Sequence, residues 1–409
     1  MRVAIVSHVL PPTWSGQAMI LAGLLRGFSP DDYVLVRTMD VPSVDDDAFG
    51  QPLPGKTFRL SEIFVPARPG ASRVRFGARS LATTLWSRAR GIARIVRRER
   101  CGALVACTGG DMLDIPSGWL GARIARVPYY PYFFDRWSQQ STGSPERRRF
   151  AERWERRIVA DAAAVIVPNE FLARELEQSL GARTAVVHNA CVVPDDVGAP
   201  PPAGDPARIT YTGAVYEANH DAFRNLIASF AQLGRAARVH VYTAQTAGDL
   251  ELAGIVGAVT RHDHLPPDEI RRVQADADVL FLPLAFESPY PSLIRTSNPG
   301  KMGEYLAAGR PILVHAPPDS FVADYFGRHG CGVVVDRLDP DELARRLGEL
   351  LADDALRRRV SAAARERAFA DFDIRHARSD FARTVGLGGQ LHAAPPPGGF
   401  AAATFLREP

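Results

Sequence analysis

The chain has 409 residues, 46% of them hydrophobic, a formal net charge of +3 and four scattered cysteines, Cys101, Cys107, Cys191 and Cys331. That length accommodates two domains, each with its own core. The cysteine spacing fits neither a disulfide framework nor a thiolate metal site and points to reduced cytosolic thiols. No apolar run approaches the ~18 residues of a membrane-spanning helix, and the stretch after Met1 is too short for a signal-peptide core.

Charge is unevenly spread. Residues 1–200 carry 26 Lys/Arg against 20 Asp/Glu, and the remainder 23 against 26, so a basic half adjoins a mildly acidic one. Forty-seven of the cations are arginines and two are lysines, Lys56 in a Pro/Gly stretch that reads as a loop, and Lys301.

In chain order, Val3–Ser7 reads as a strand, and a loop containing Pro11, Pro12 and Gly16 leads to an apolar helix near 17–27. Tyr33–Val36 is the next strand. Leu81, Leu85, Ala89, Ile92 and Val96 fall at helical spacing with Arg88, Arg90, Arg94, Arg97 and Arg98 on other faces. Ala103–Cys107 reads as a buried strand ending at Thr108-Gly109-Gly110, followed by a helix and a strand near Tyr129–Phe134. A charged helix near 146–160, a strand at Ala164–Val167, a helix at Glu170–Leu180 and a strand at Thr184–Val187 complete this series.

Residues 192–207 are rich in Pro, Gly and Asp and read as a linker. A second series then begins at Ile209-Thr210-Tyr211-Thr212-Gly213, with a helix near 219–233. Strands are expected at Val239–Tyr242, near 258–261, and at Val279–Leu282, Pro311–His315 and Gly332–Val335. Asp339 and Pro340 start a helix to Leu351, and two more helices run to about 385. Residues 386–409, with Pro395-Pro396-Pro397-Gly398-Gly399, read as a disordered tail. Strands alternating with helices imply an α/β protein of two Rossmann-like, doubly wound parallel-sheet domains, 1–191 and 208–385, facing across a cleft.

In such sheets ligands bind beyond the carboxyl ends of the strands, which brings forward Gly213, Leu265 and the segment 289–301. After the strand at 279–282 an irregular stretch, Phe286 to Asn298, precedes Pro299-Gly300 and a helix from about Lys301. The free amides and positive end of that helix favour an anion. Lys301 adds a compact ammonium suited to a diphosphate, and Glu304 stands where a carboxylate accepts two ribose hydroxyls. Together these describe a nucleotide-sugar site.

The stretch Pro299-Gly300-Lys301-Met302-Gly303-Glu304-Tyr305-Leu306-Ala307-Ala308-Gly309-Arg310-Pro311-Ile312-Leu313 resembles the donor-site motif of GT-B glycosyltransferases, in particular the retaining family related to sucrose and glycogen synthases. Asp276 to Leu284 is similar to the family's strand before that motif, Cys331–Val335 with Asp339–Leu343 to its last strand and helix, and Pro11–Gln17 to its N-terminal acceptor-side loop, which brings in Gly16 and Gln17. The resemblance implies that Glu304 holds the donor ribose and that Lys301 lies near the phosphates, with Gly213, Leu265, Asn298 and Gly300 around the donor. Two positions depart from the pattern. Thr296 stands eight residues before Glu304 where the family has its first glutamate, a role that Glu287 would have to take. Tyr216-Glu217-Ala218-Asn219-His220 lacks the phosphate-gripping cations common after the first strand of the second domain, leaving Lys301, Arg295 and backbone amides.

The implied reaction moves a sugar from a nucleotide diphosphate sugar to a hydroxyl acceptor, needing no cofactor and no metal, with charge on the leaving diphosphate stabilised by pre-aimed donors. The Asp276/Asp278 and Asp371/Asp373 pairs are read as non-metal sites. His8 and Asp135, each ending a strand of the first domain, are candidates to orient or deprotonate the acceptor. The arginine-rich helices of that domain suit contact with an anionic membrane face, and nothing fits nucleic-acid binding. The competing readings are a nucleotide-sugar epimerase of similar build and a non-catalytic nucleotide-sugar binder.

Overall fold

The computed structural model describes residues 1–11, 15–38, 52–60, 78–109, 112–140 and 145–388. Pro12, Thr13 and Trp14 of the acceptor-side loop, Gly110, and 389–409 of the expected tail lie outside them.

The first series runs β1 (Arg2–Ser7), α1 (Gly16–Leu25), β2 (Tyr33–Arg37), β3 (Lys56–Arg59), α2 (Ala78–Arg98), β4 (Cys101–Cys107), α3 (Asp114–Ala125) and β5 (Tyr129–Tyr132). It continues through α4 (Trp137–Gln140), α5 (Pro145–Asp161), β6 (Val165–Val167), α6 (Glu170–Leu180) and β7 (Thr184–Val186). The sheet order is β3-β2-β1-β4-β5-β6-β7, with every pairing parallel. Lys56 therefore opens an edge strand, not a loop, and its ammonium meets Glu99 at 2.7 Å.

The second series is β8 (Ala207–Thr212), α7 (His220–Ser229), β9 (Ala237–Tyr242), α8 (Ala247–Leu252), β10 (Val259–His262), α9 (Pro267–Ala275), β11 (Val279–Pro283), α10 (Pro291–Thr296) and α11 (Lys301–Ala307). β12 (Ile312–His315), α12 (Phe321–His329), β13 (Val333–Val335), α13 (Pro340–Ala352), α14 (Asp354–Asp371) and α15 (Ile374–Val385) follow. The sheet order is β10-β9-β8-β11-β12-β13, again all parallel. The order reverses between β1 and β4 in one sheet and between β8 and β11 in the other. A crevice opens at the carboxyl ends on each side of such a reversal.

Both faces of each sheet are covered, which explains why the strands read as apolar runs. On one face of the first sheet Val3, Ile5, Leu35 and Val105 pack with Leu21 and Leu25 of α1, and with Ala377, Phe381 and Val385 of α15. The last helix thus returns to the first domain, where the sequence had been divided with everything to 385 in the second. Phe381 meets Phe28 in a tilted pair, 6.2 Å between ring centres, and Arg378 donates twice to the Gly23 carbonyl, at 3.1 and 2.7 Å. The two crossings between domains touch each other. Cys191 N–H bonds Phe372 O and Ile374 N–H bonds Cys191 O, both at 2.9 Å, in a short parallel bridge.

The segment expected to be a linker is pinned to the second domain by side chains. Arg365 donates to the carbonyls of Pro194 and Asp195, Arg310 to Gly198, Arg357 to Pro201 and Arg235 to Gly204. Asp278 accepts from the amides of Gly204 and Arg208 at 3.2 and 2.8 Å. Its carboxylate is therefore committed to backbone, and the same holds for Asp373, which caps α15 and pairs with Arg375.

Two stability predictions follow from this packing. Phe381→Ala should destabilise the first domain by about 3–5 kcal/mol, read as a shift in its denaturant midpoint. An unchanged midpoint would contradict the assignment of α15 to that core. His315 is fully buried and held neutral, with Nδ1 donating to Val335 O and Nε2 accepting from Asn225 Nδ2, both at 2.9 Å. Burial pushes its pKa down from 6.5 to about 4. The unfolded chain takes up this proton first, so stability should fall as pH drops from about 6.5 towards 4. His315→Gln should flatten that part of the stability–pH curve.

Candidate functional site

The carboxyl end of β8 and the first turn of α11 meet at the switch point of the second sheet. Lys301 Nζ lies over the Tyr211 ring, 4.8 Å from its centre. Its stem lies against Gly213, where a Cβ would stand 3.1 Å from Lys301 Cε and 3.3 Å from Nζ. Gly213 also has φ +123°, so both backbone and packing require glycine there. The lysine is half-buried between strand end and helix, not directed away into solvent. No side chain caps α11. At seven residues it has a modest dipole, so the ammonium carries the larger share of positive charge.

Glu304 follows one turn later. Its Oε2 accepts from Gln274 Nε2 at 3.2 Å, and the same amide donates to Thr212 Oγ1 at 3.1 Å. Thr212 N–H in turn donates to the Tyr305 hydroxyl at 2.9 Å. This network ties α11 and α9 to the end of β8 and orients the carboxylate. Burial raises the Glu304 pKa, opposed by Gln274 and by the charges of Lys301 and Arg271. Gln274 escaped the sequence reading. Its signal was a polar residue one turn after the apolar Ile270 on the buried side of α9.

The other donor-side candidates divide. Gly300 precedes α11 and faces the first domain, its Cβ position 3.9 Å from Ile20 Cδ1. Leu265 is half-buried just beyond β10. Asn298 is 7% exposed and faces the domain crossing, where its Nδ2 donates to Pro168 O and its carbonyl accepts from Asn189 Nδ2, both at 2.8 Å. Asn169 Nδ2 reaches the Thr296 carbonyl at 2.8 Å in the same seam. Thr296 is 1% exposed with its hydroxyl on Ser292 O, and it lies within α10, a helix in the stretch read as irregular. Arg295 is engaged with Glu175 of α6. Glu287 is exposed, and its N–H, like that of Phe286, is held by Asp221 Oδ2.

Across the cleft, His8 follows β1 with a buried Nδ1 that finds no hydrogen-bond partner among the described residues. Ser15 caps α1, which Gly16 opens. Gln17 donates to Ser7 Oγ at 3.1 Å and lies so close to Gly109 that a Cβ there would sit 2.4 Å from Gln17 Oε1. Asp135, just after β5, accepts from Gln140 Nε2 at 3.2 Å. Burial lifts its carboxyl to about 6, with Gln140 opposing. The adjacent Arg136 is committed to Glu155 and Glu175, at 3.1 and 2.6 Å. Partial burial raises the Tyr216 phenol pKa, with the charge of Lys301 opposing and Tyr211 and Asp135 reinforcing.

Residues 34–190 match the family model for the glycosyl transferase 4-like domain, and 206–353 the model for glycosyl transferases group 1. Among solved structures, a sucrose-phosphate synthase from Thermosynechococcus elongatus is similar at TM-score 0.65 and 16% identity, over 93% of this chain and 97% of that one. Anabaena Alr3699/HepE in complex with UDP-glucose is similar at TM-score 0.65 and 14% identity, over 94% and 99%. A glycosyltransferase from Rickettsia africae matches at TM-score 0.64 and 10% identity, over 94% and 98%. No curated protein matches. With the paired parallel sheets and the two family models together spanning most of its length, the chain belongs to the GT-B glycosyltransferases of the GT4-like type.

Proposed function

We propose that this glycosyltransferase moves a hexosyl group from a nucleoside diphosphate sugar to a hydroxyl acceptor, with retention and without a metal. The observation that carries the reading is the seating of Lys301 on Tyr211 beside Gly213 at the switch point, one turn from Glu304. An ammonium there meets charge developing on the leaving diphosphate, and a carboxylate one turn away accepts the ribose hydroxyls. A bound UDP-glucose in the similar HepE structure supports a donor of this class.

On the opposite bank, Asp135 is the group we assign to take the acceptor proton. A carboxyl lifted to about 6 is matched to this task near neutral pH. His8 and Gln17 line the same side and would orient the acceptor. Among the described residues no helix is long and apolar enough to cross a membrane. Exposed Trp86 on α2, with Arg90 stacked over it at 5.0 Å and Arg94, Arg97 and Arg98 beyond, suits peripheral contact with an anionic bilayer on its cytoplasmic face.

Incubation with a panel of labelled UDP-, GDP- and ADP-sugars tests the reading. Transfer to an acceptor or slow donor hydrolysis is expected, whereas isomerised donor or binding without turnover would contradict it. Lys301→Ala should weaken nucleoside diphosphate binding about 10- to 100-fold and leave the nucleoside unaffected. Glu304→Ala should weaken both, and calorimetric titration separates the two patterns. Asp135→Asn should lower kcat by about 10²–10⁴-fold. Wild-type activity should fall as pH drops through about 6, where Asp135 gains its proton. An acid limb that survives in Asp135→Asn would contradict its role.

A further inference from the structure

The loop from Gly213 to Asn219 joins β8 to α7 and begins at the glycine against which Lys301 packs, and it contains no arginine or lysine. A diphosphate presents anionic oxygens on more than one side, while Lys301 approaches from α11 and Arg295 is engaged with Glu175. What the loop presents instead is Tyr216, 54% exposed. Its backbone is firmly held. Tyr216 N–H donates to Asn219 Oδ1 at 3.1 Å, Asn219 N–H returns to Tyr216 O at 2.9 Å, and Val215 N–H donates to Gln245 Oε1 at 3.0 Å. The Ala214 carbonyl accepts from the Tyr211 hydroxyl at 2.6 Å. The turn is therefore built on the same Tyr211 whose ring carries Lys301.

An exposed aromatic on a turn braced in this way loses little entropy when a ligand arrives. Its surroundings also keep it a donor. The part of the side chain that is covered raises the phenol pKa, with Lys301 opposing and Tyr211 and Asp135 reinforcing. The hydroxyl thus keeps its proton and has it to give to an anionic oxygen.

We propose that Tyr216 is a further donor-binding residue, its hydroxyl donating a hydrogen bond to the diphosphate from the loop side while Lys301 meets it from the helix side. The phenol serves with a neutral donor where a cation on this loop would serve with charge. This inference rests on the nucleotide-sugar reading above.

The test is calorimetric titration of the full chain with UDP, GDP and ADP and with the matching nucleosides. Tyr216→Phe is nearly isosteric, and an unchanged melting temperature would show that the fold is kept. It should weaken the preferred diphosphate roughly tenfold and leave the nucleoside unchanged. Tyr216→Arg should restore diphosphate affinity and steepen its salt dependence. Equal diphosphate affinity in wild type and Tyr216→Phe overturns this inference alone. Equal losses for nucleoside and diphosphate also overturn it, since they would place the ring on the base. No diphosphate binding by the wild type overturns both the donor reading and this inference.

Discussion

The arrangement of the site depends on one contact, the Lys301 ammonium lying on the face of Tyr211 beside a glycine that leaves room for it. The ring fixes where the charge sits without neutralising it, as a carboxylate would. Everything around the contact serves the same placement. Tyr211 is fully buried and ties down the loop after β8, Tyr305 receives the Thr212 amide, and Gln274 bridges Thr212 to Glu304. The charge and the carboxylate therefore share one rigid unit made of β8, α9 and α11.

Arginine has a different job in this chain. Arg235, Arg310, Arg357 and Arg365 each place guanidinium donors on carbonyls of the segment 194–204, and Arg378 does the same for Gly23. A planar fork can satisfy carbonyls from several directions, which a single ammonium does less well. The consequence is mechanical. The connecting segment is bound to the second domain, so any bending between domains would fall on the paired crossings at Cys191 and Phe372–Ile374 and on the asparagine seam of Asn169, Asn189 and Asn298. That seam lies directly behind α11, where a Cβ on Gly303 would come within 3.1 Å of Asn189 O. A donor held at α11 would therefore lie next to any bend at these crossings.

Most of the fold was legible because parallel strands covered on both faces are short apolar runs, as in Val3–Ser7, Ala103–Cys107 and Val279–Leu282. Asp339 and Pro340 start α13 as their chemistry dictates, with Asp339 Oδ1 accepting from the Asp341 and Glu342 amides. The edge strand at Lys56 and the six-residue α10 were not read, since both are too short for a period to declare itself. The return of α15 was also hidden. Its amphipathic pattern shows that Phe381 and Val385 are buried but not against which sheet. In the site, Lys301 and Glu304 stand out by their motif and its spacing and Gly213 by its place at a strand end, and the structure brings Lys301 against Gly213 with Glu304 one turn on. Gln274, Tyr211 and Tyr305 were not legible, because contacts between distant segments leave no local signature. Arg295 was expected near phosphate, yet its side chain is held by Glu175, a partner 120 positions away in sequence.

The most direct test is a crystal structure with the donor's nucleoside diphosphate bound. The account predicts Lys301 Nζ within about 3 Å of a phosphate oxygen, with the nucleotide lying between the ends of β8 and β11 and the first domain. A diphosphate bound elsewhere, or Lys301 turned away from it into solvent, would contradict the account.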